Sequence, residues 1–169
     1  MPADTRLRPE LCNCLALRQA ARHVTQFYDQ FLAPAGLRTT QFSILAKLRR
    51  LGPMTIGALA AELVMDRTTL GRNLQPLERE GLVTVAKGIE DRRSREIRLT
   101  DAGAERLRAA VKGWVDAQAG FEAVFGEERS SELRALLHAV SASDLDAIGP
   151  RAVDVGSSGS HEREPRLSR

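Results

Sequence analysis

Over residues 11–32 the positions Cys14, Leu17, Ala21, Val24, Tyr28 and Phe31 recur at alternating spacings of three and four. That period predicts one apolar stripe along a long helix, ended by Pro34 and Gly36. Phe42, Leu45 and Leu48 repeat the pattern over residues 40–50, and Gly52-Pro53 closes it. A short helix, TIGALAAEL, is expected after Thr55, whose hydroxyl suits an N-cap. In the stretch MDRTTLGRNLQPLEREG that follows, Asp66 is the expected cap. Leu70, Leu74 and Leu77, with Leu82 just beyond, form an inward edge. Arg67, Thr68, Gly71, Arg72 and Gln75 are left facing outward, and Gly81 is a natural C-cap.

The period then changes to two. LVTVA and REIRL alternate as strands around the polar, turn-rich KGIEDRRS, which predicts a β-hairpin with a charged tip. From Thr100 the helical period returns, with Ala104, Leu107, Val111, Trp114 and Val115 in one stripe until about Phe125. Gly126 breaks it. A last helix over about 127–147 carries Leu133, Leu136, Leu137, Val140 and Leu145. Beyond Gly149-Pro150, VGSSGSHEREPRLSR has too little apolar content to order itself. The predicted fold is mainly α with a small β-hairpin wing. Residues 1–9 form an N-terminal arm, 10–148 the folded domain, and 149–169 a flexible tail.

With 169 residues, 43% apolar and 4% aromatic, the chain supports one domain with a core of Leu, Ala and Val. Its formal charge of +3 is compatible with a polyanionic partner without requiring one. No apolar run reaches membrane-span length and no hydrophobic signal region opens the chain, so a cytoplasmic protein without membrane contact is expected. Cys12 and Cys14 are expected as thiols. His23, His138 and His161 match no zinc spacing. No phosphate-binding glycine loop, G-x-S-x-G or H-E-x-x-H occurs. Neither an enzyme nor a cofactor is expected.

Two short helices joined by a tight turn, followed by a charged hairpin, is the order of a winged helix-turn-helix. In that arrangement the second helix enters the major groove of double-stranded DNA. The polar front of residues 65–81 then has a purpose. Thr68, Thr69 and Gly71 allow close approach to base edges, Arg67 and Arg72 supply donors for guanine or phosphate, and Asn73 lies beside them. Arg92, Arg93 and Arg95 sit at the hairpin tip. Alone, an arginine-rich tip serves equally well as a solvated loop; the ordered combination points to DNA.

MTIGALAAELVMDRTTLGRNLQPLEREGLV, followed by EDRRSREIRLTDAG, resembles the MarR family of bacterial transcription regulators over residues 54–103. The flanking helices extend the likeness to roughly 10–148. The resemblance implies a winged helix-turn-helix over about 40–99 and dimerisation helices over about 10–33 and 100–148. It also implies a homodimeric repressor on a palindromic operator. Thr68, Thr69 and Arg72 match the family's recognition-helix contacts, and Asp91 and Arg93 match a wing motif whose acid orients an arginine for the minor groove. Gly71 departs from the hydroxyl residue often found there. The rival readings are a small-molecule-binding or interaction protein that uses the fold without operator binding, and, more remotely, an enzyme with Cys14 as nucleophile.

Cys14 and Tyr28, fourteen residues apart, resemble the family's organic hydroperoxide sensors, in which a tyrosine bonds the reactive cysteine. Here TTQF has Thr and Phe at that branch's tyrosine positions, and Arg18 replaces an aromatic. Independently, a thiolate at a helix start, one turn from Arg18, is stabilised by free N–H groups. If both were helical, Cys12 and Cys14 would lie about 200° apart and would pair more easily across a dimer than with each other. Three readings stay open for them: core residues, oxidant sensing, or capture of a soft metal or metalloid. The resemblance also implies a small aromatic or lipophilic effector, with Arg18, His23 and Tyr28 as candidate pocket residues.

Overall fold

The structure, a computed structural model, describes residues 8–87 and 95–145. The tail expected over 149–169 lies outside the described residues. A 3-10 turn, Pro9–Leu11, leads to Cys12, whose extended backbone (φ −77°, ψ 107°) precedes α1, Asn13–Leu32. Cys12 is therefore the N-cap and not a helical residue: its Sγ accepts the Leu15 N–H at 3.4 Å. The two-cysteine geometry expected for a continuous helix does not apply.

A second 3-10 turn, Ala33–Ala35, and Gly36 at φ 70° turn the chain into α2, Thr39–Leu51. Asp29 of α1 fixes this corner. Its carboxylate accepts the Thr39 N–H and hydroxyl, each at 2.7 Å, and pairs with Arg38 at 3.3 Å. Then come β1 (Met54–Thr55), α3 (Ile56–Glu62), α4 (Arg67–Arg79), β2 (Val83–Lys87), β3 (Arg95–Leu99), α5 (Asp101–Phe125) and α6 (Glu127–Ala142). Thr55, Asp66 and Thr100 cap α3, α4 and α5 through their side chains, as their residue types predict. The last helix ends at Ala142, where Ser143 turns extended, short of the expected 147.

The three strands pair antiparallel in the order β1-β3-β2, with Met54 opposite Ile97 and Val85 opposite Ile97 on the other side. β1 is two residues long and leaves no periodic signal. One core joins Leu32 and Leu37 to Ile44, Leu45, Leu48, Leu59, Leu70, Leu77, Leu82, Val83, Ile97 and Leu107. It lies within the winged unit and beneath the start of α5.

The outer helices depart from the predicted stripes. α1 buries only Leu32 and α6 only Ser130. Cys14, Leu17 and Ala21 are exposed, so Cys14 is not core filler within the protomer. On α5 the inward line is Leu107, Ala110, Gly113, Ala117 and Gly120, whereas Val111 and Val115 face out. The cause is close contact: a Cβ on Gly113 would stand 2.3 Å from the carbonyl oxygen of Phe31 on α1. Small residues permit that approach, and counting large apolar side chains selects the wrong face. Among the described residues no helix is long and apolar enough to cross a membrane.

Candidate nucleic-acid interface

α4 rests on the core through Leu70, Leu74 and Leu77, and this fixes which side chains it presents. Asp66 holds its first turn. One carboxylate oxygen accepts the Thr69 N–H at 2.8 Å and the other accepts the Thr69 hydroxyl at 2.6 Å. These bonds keep the Asp66 carboxyl below its ordinary range. The Thr69 hydroxyl proton is thus committed inside the helix. Asn73 is committed too: half-buried, it donates through Nδ2 to the Thr69 carbonyl at 2.8 Å.

Opposite the leucines runs an exposed line of Thr68, Arg72, Gln75 and Arg79, spaced four, three and four. Arg72 and Thr68 were expected there. Arg79 was missed as a candidate, and Gln75 was seen only as outward-facing. The signal that finds them is the phase of the helix, since they continue the line of Arg72. Arg67 is exposed but lies to one side, its guanidinium over Gly57 of α3: a Cβ there would meet Nη2 at 3.0 Å.

In the wing, Arg95 is exposed opposite Lys87, so two cations stand where the hairpin leaves the sheet. Asp91, Arg92 and Arg93 lie outside the described residues. Arg98, further along β3, is tied to Glu96 at 2.6 Å.

The sensing candidates do not converge. Cys12 and Cys14 are exposed at the start of α1, and Arg18 and His23 are exposed further along it. Fourteen helical residues separate Cys14 from Tyr28 by about 21 Å at 1.5 Å per residue, so the two cannot bond within one protomer. The Tyr28 hydroxyl instead donates to Gln118 Oε1 on α5. Burial, then the nearby Glu122 carboxylate, raises its pKa, and Arg134 opposes them. Among the described residues no three His, Cys, Asp or Glu side chains gather as a metal site.

Tyr28 does line two clefts. One, of about 390 Å³, lies between the outer helices and the winged unit, with Phe42, Lys47, Arg50 and Trp114 in its wall. Phe42 and Trp114 stack there, centroids 6.0 Å apart at 14°. The other, of about 460 Å³, runs between α1, α5 and α6 and includes Leu17, Val24, Phe121, Leu133 and Leu137.

The winged unit thus carries an arginine-bearing helix exposed on its outer side. The model of the MarR family matches residues 37–94, from the turn before α2 into the wing. The transcriptional regulator PecS of Dickeya dadantii is 34% identical over 112 residues, 64% of this chain and 68% of that protein. The chain belongs to the MarR family. A second MarR-type relative, the organic hydroperoxide resistance transcriptional regulator of Bacillus subtilis, is 31% identical over 98 residues, 58% of this chain and 67% of that protein. The M. tuberculosis regulator MosR, solved in complex with DNA, is 40% identical with a TM-score of 0.67, covering 79% of this chain and 99% of that one. This MarR chain is a DNA-binding transcription regulator and not an enzyme.

Proposed function

We propose that the chain is a homodimeric repressor that sets two copies of α4 into successive major grooves of a palindromic operator. One observation carries the dimer: the outer helices have apolar faces that no other described residue covers. Leu17, Val24, Leu133 and Leu137 border the open cleft between α1, α5 and α6. Leu136, at 66% exposed, and Val140, at 45%, extend that surface along α6. A patch of this kind marks an association surface, and a second copy meets it with an equally apolar one. Joining the copies through these helices leaves both recognition lines free. Half-sites about 34 Å apart are then expected.

The same dimer gives a route to release. The cleft at Tyr28, Phe42 and Trp114 carries Lys47 and Arg50 in its wall and suits a small aromatic or lipophilic anion. An occupant there presses on both the winged unit and the outer helices, and so alters the separation of the two copies of α4. Thiol oxidation is a second route, favoured by the exposure of Cys12 and Cys14 at the start of α1. The named role of the Bacillus subtilis relative in organic hydroperoxide resistance supports it.

Sedimentation and gel shifts on the chain's own upstream region test the proposal together. Wild type should sediment as a dimer and bind one operator per dimer. Leu137→Glu, which places a charge in the apolar cleft, should give monomers that lose tight binding. A monomer that binds as tightly as wild type overturns the dimer. A small-molecule ligand without any operator binding favours the interaction-protein reading instead.

A further inference from the structure

Pro76 stands inside α4, three residues before its end. With no N–H it cannot donate to the Arg72 carbonyl, which loses its helical partner, so the residue weakens the helix it sits in. Core packing does not account for it. Pro76 is half-exposed and absent from the buried cluster. Its ring borders a shallow cleft on the outer side of the helix, together with Arg72, Gln75, Glu78 and Arg79. The ring therefore adds an apolar surface to a line of polar side chains that already faces away from the core.

We propose that Gln75 and Pro76 form a reader for an A·T pair, next to a guanine taken by Arg72. A glutamine amide matches adenine, accepting from N6 and donating to N7, while an apolar surface matches the C5 methyl of thymine. Gln75 suits the role better than its neighbour, because one N–H of the Asn73 amide is held by the Thr69 carbonyl, which turns that side chain back along the helix. Spacing agrees. Arg72 and Gln75 are about 4.5 Å apart along the helix axis at 1.5 Å per residue, close to the 3.4 Å step between base pairs. Arg79, roughly 10 Å beyond Arg72, is left for phosphate. Glu78, on the flank of the cleft, disfavours a backbone phosphate at this level and so leaves the space to bases.

The inference rests on α4 as the groove-entering helix, and its test separates the two. Full-length wild type is used to select duplexes from a randomised library, and affinities are then measured on the selected duplex. The site should hold a G·C pair with an A·T pair one or two steps away. Gln75→Ala should bind it about tenfold or more weakly and should no longer distinguish that A·T pair from G·C. Replacing the thymine by deoxyuridine removes one methyl group. This should cost wild type about fourfold and should cost Pro76→Ala nothing. Pro76→Ala restores a helical hydrogen bond, so it should melt at or above wild type, and a lost preference is then not a folding defect. If Gln75→Ala and Pro76→Ala keep wild-type affinity and base preference while Arg72→Ala weakens binding, the A·T reader is wrong and the helix assignment stands. If Arg72→Ala also binds as wild type, α4 does not enter the groove and both fall.

Discussion

Gly113 of α5 lies against the carbonyl of Phe31 so closely that an added Cβ would stand 2.3 Å from the oxygen. A Cβ on Gly71 of α4, by contrast, would meet no described residue outside its own stretch of helix within 4 Å. The two glycines therefore predict opposite outcomes. Gly113→Ala should destabilise by about 1–3 kcal/mol, because backbone and not a flexible side chain must yield. Gly71→Ala should stabilise by roughly 0.5–1 kcal/mol through helix propensity alone. Urea denaturation of both variants checks the pair, and equal effects would mean that α1 and α5 do not meet as described.

Asp29 gives the corner between α1 and α2 a pH dependence. Burial raises its pKa, but the Thr39 N–H and hydroxyl and the Arg38 guanidinium outweigh that, and the net shift is downward. A carboxyl lowered in the folded state adds stability that is present above the unfolded value, about 3.9, and is lost as pH falls through the folded one. Wild type should therefore lose stability below about pH 4 more steeply than Asp29→Asn. Urea midpoints of the two proteins, compared from neutral pH downward, should converge in acid. A constant gap would remove the charge from the account.

The recognition helix makes a comparative prediction. Arg72→Ala should cost about 1–3 kcal/mol of DNA binding and relax sequence choice if it reads a base. If it meets phosphate, affinity should fall evenly across sequences and the salt slope should shrink. Asn73→Ala should do less, since its amide serves the Thr69 carbonyl. Titrations at several salt concentrations distinguish these, and a larger loss for Asn73→Ala would reverse the assignment of the outward line.

What the sequence made legible follows local physics. Thr55, Asp66 and Thr100 cap helices because a short oxygen-bearing side chain before an amphipathic run has little else to do. The hairpin strands declared themselves by alternation. Relationships set by packing between distant segments were not legible. Nothing near Gly113 announces Phe31, and nothing near Tyr28 announces Gln118, ninety residues away. Val64 is a further case: it adopts φ 51° in the turn between α3 and α4, a conformation a β-branched residue rarely takes. At the interface the outward phase of α4 was readable, but hydrogen bonding decided between neighbours. Polarity alone ranks Asn73 with Gln75, and only the helix shows that Asn73 bonds the Thr69 carbonyl while Gln75 has no such bond among the described residues.

The start of α1 carries the last prediction. Cys12 Sγ accepts the Leu15 N–H and so closes the first turn of the helix, while Cys14 sits exposed within that turn. A hydroperoxide that oxidises Cys14 to a sulfenic acid releases the alcohol, and a second thiol then displaces water to form a disulfide. If the second thiol is Cys12, from either copy, its sulfur leaves the cap and the helix start loosens at the proposed dimer surface. The substitutions separate capping from chemistry. Cys12→Ser replaces the sulfur acceptor with a hydroxyl oxygen and should fold as wild type, whereas Cys12→Ala should lose about 0.5–2 kcal/mol of stability. Cys14→Ser should bind DNA as wild type but fail to release it when an organic hydroperoxide is added. Cys12→Ser should still respond at Cys14 but form no disulfide on non-reducing gels. Release by Cys14→Ser as complete as that of wild type would overturn thiol sensing and leave the cleft at Tyr28, Phe42 and Trp114 as the place where a signal enters.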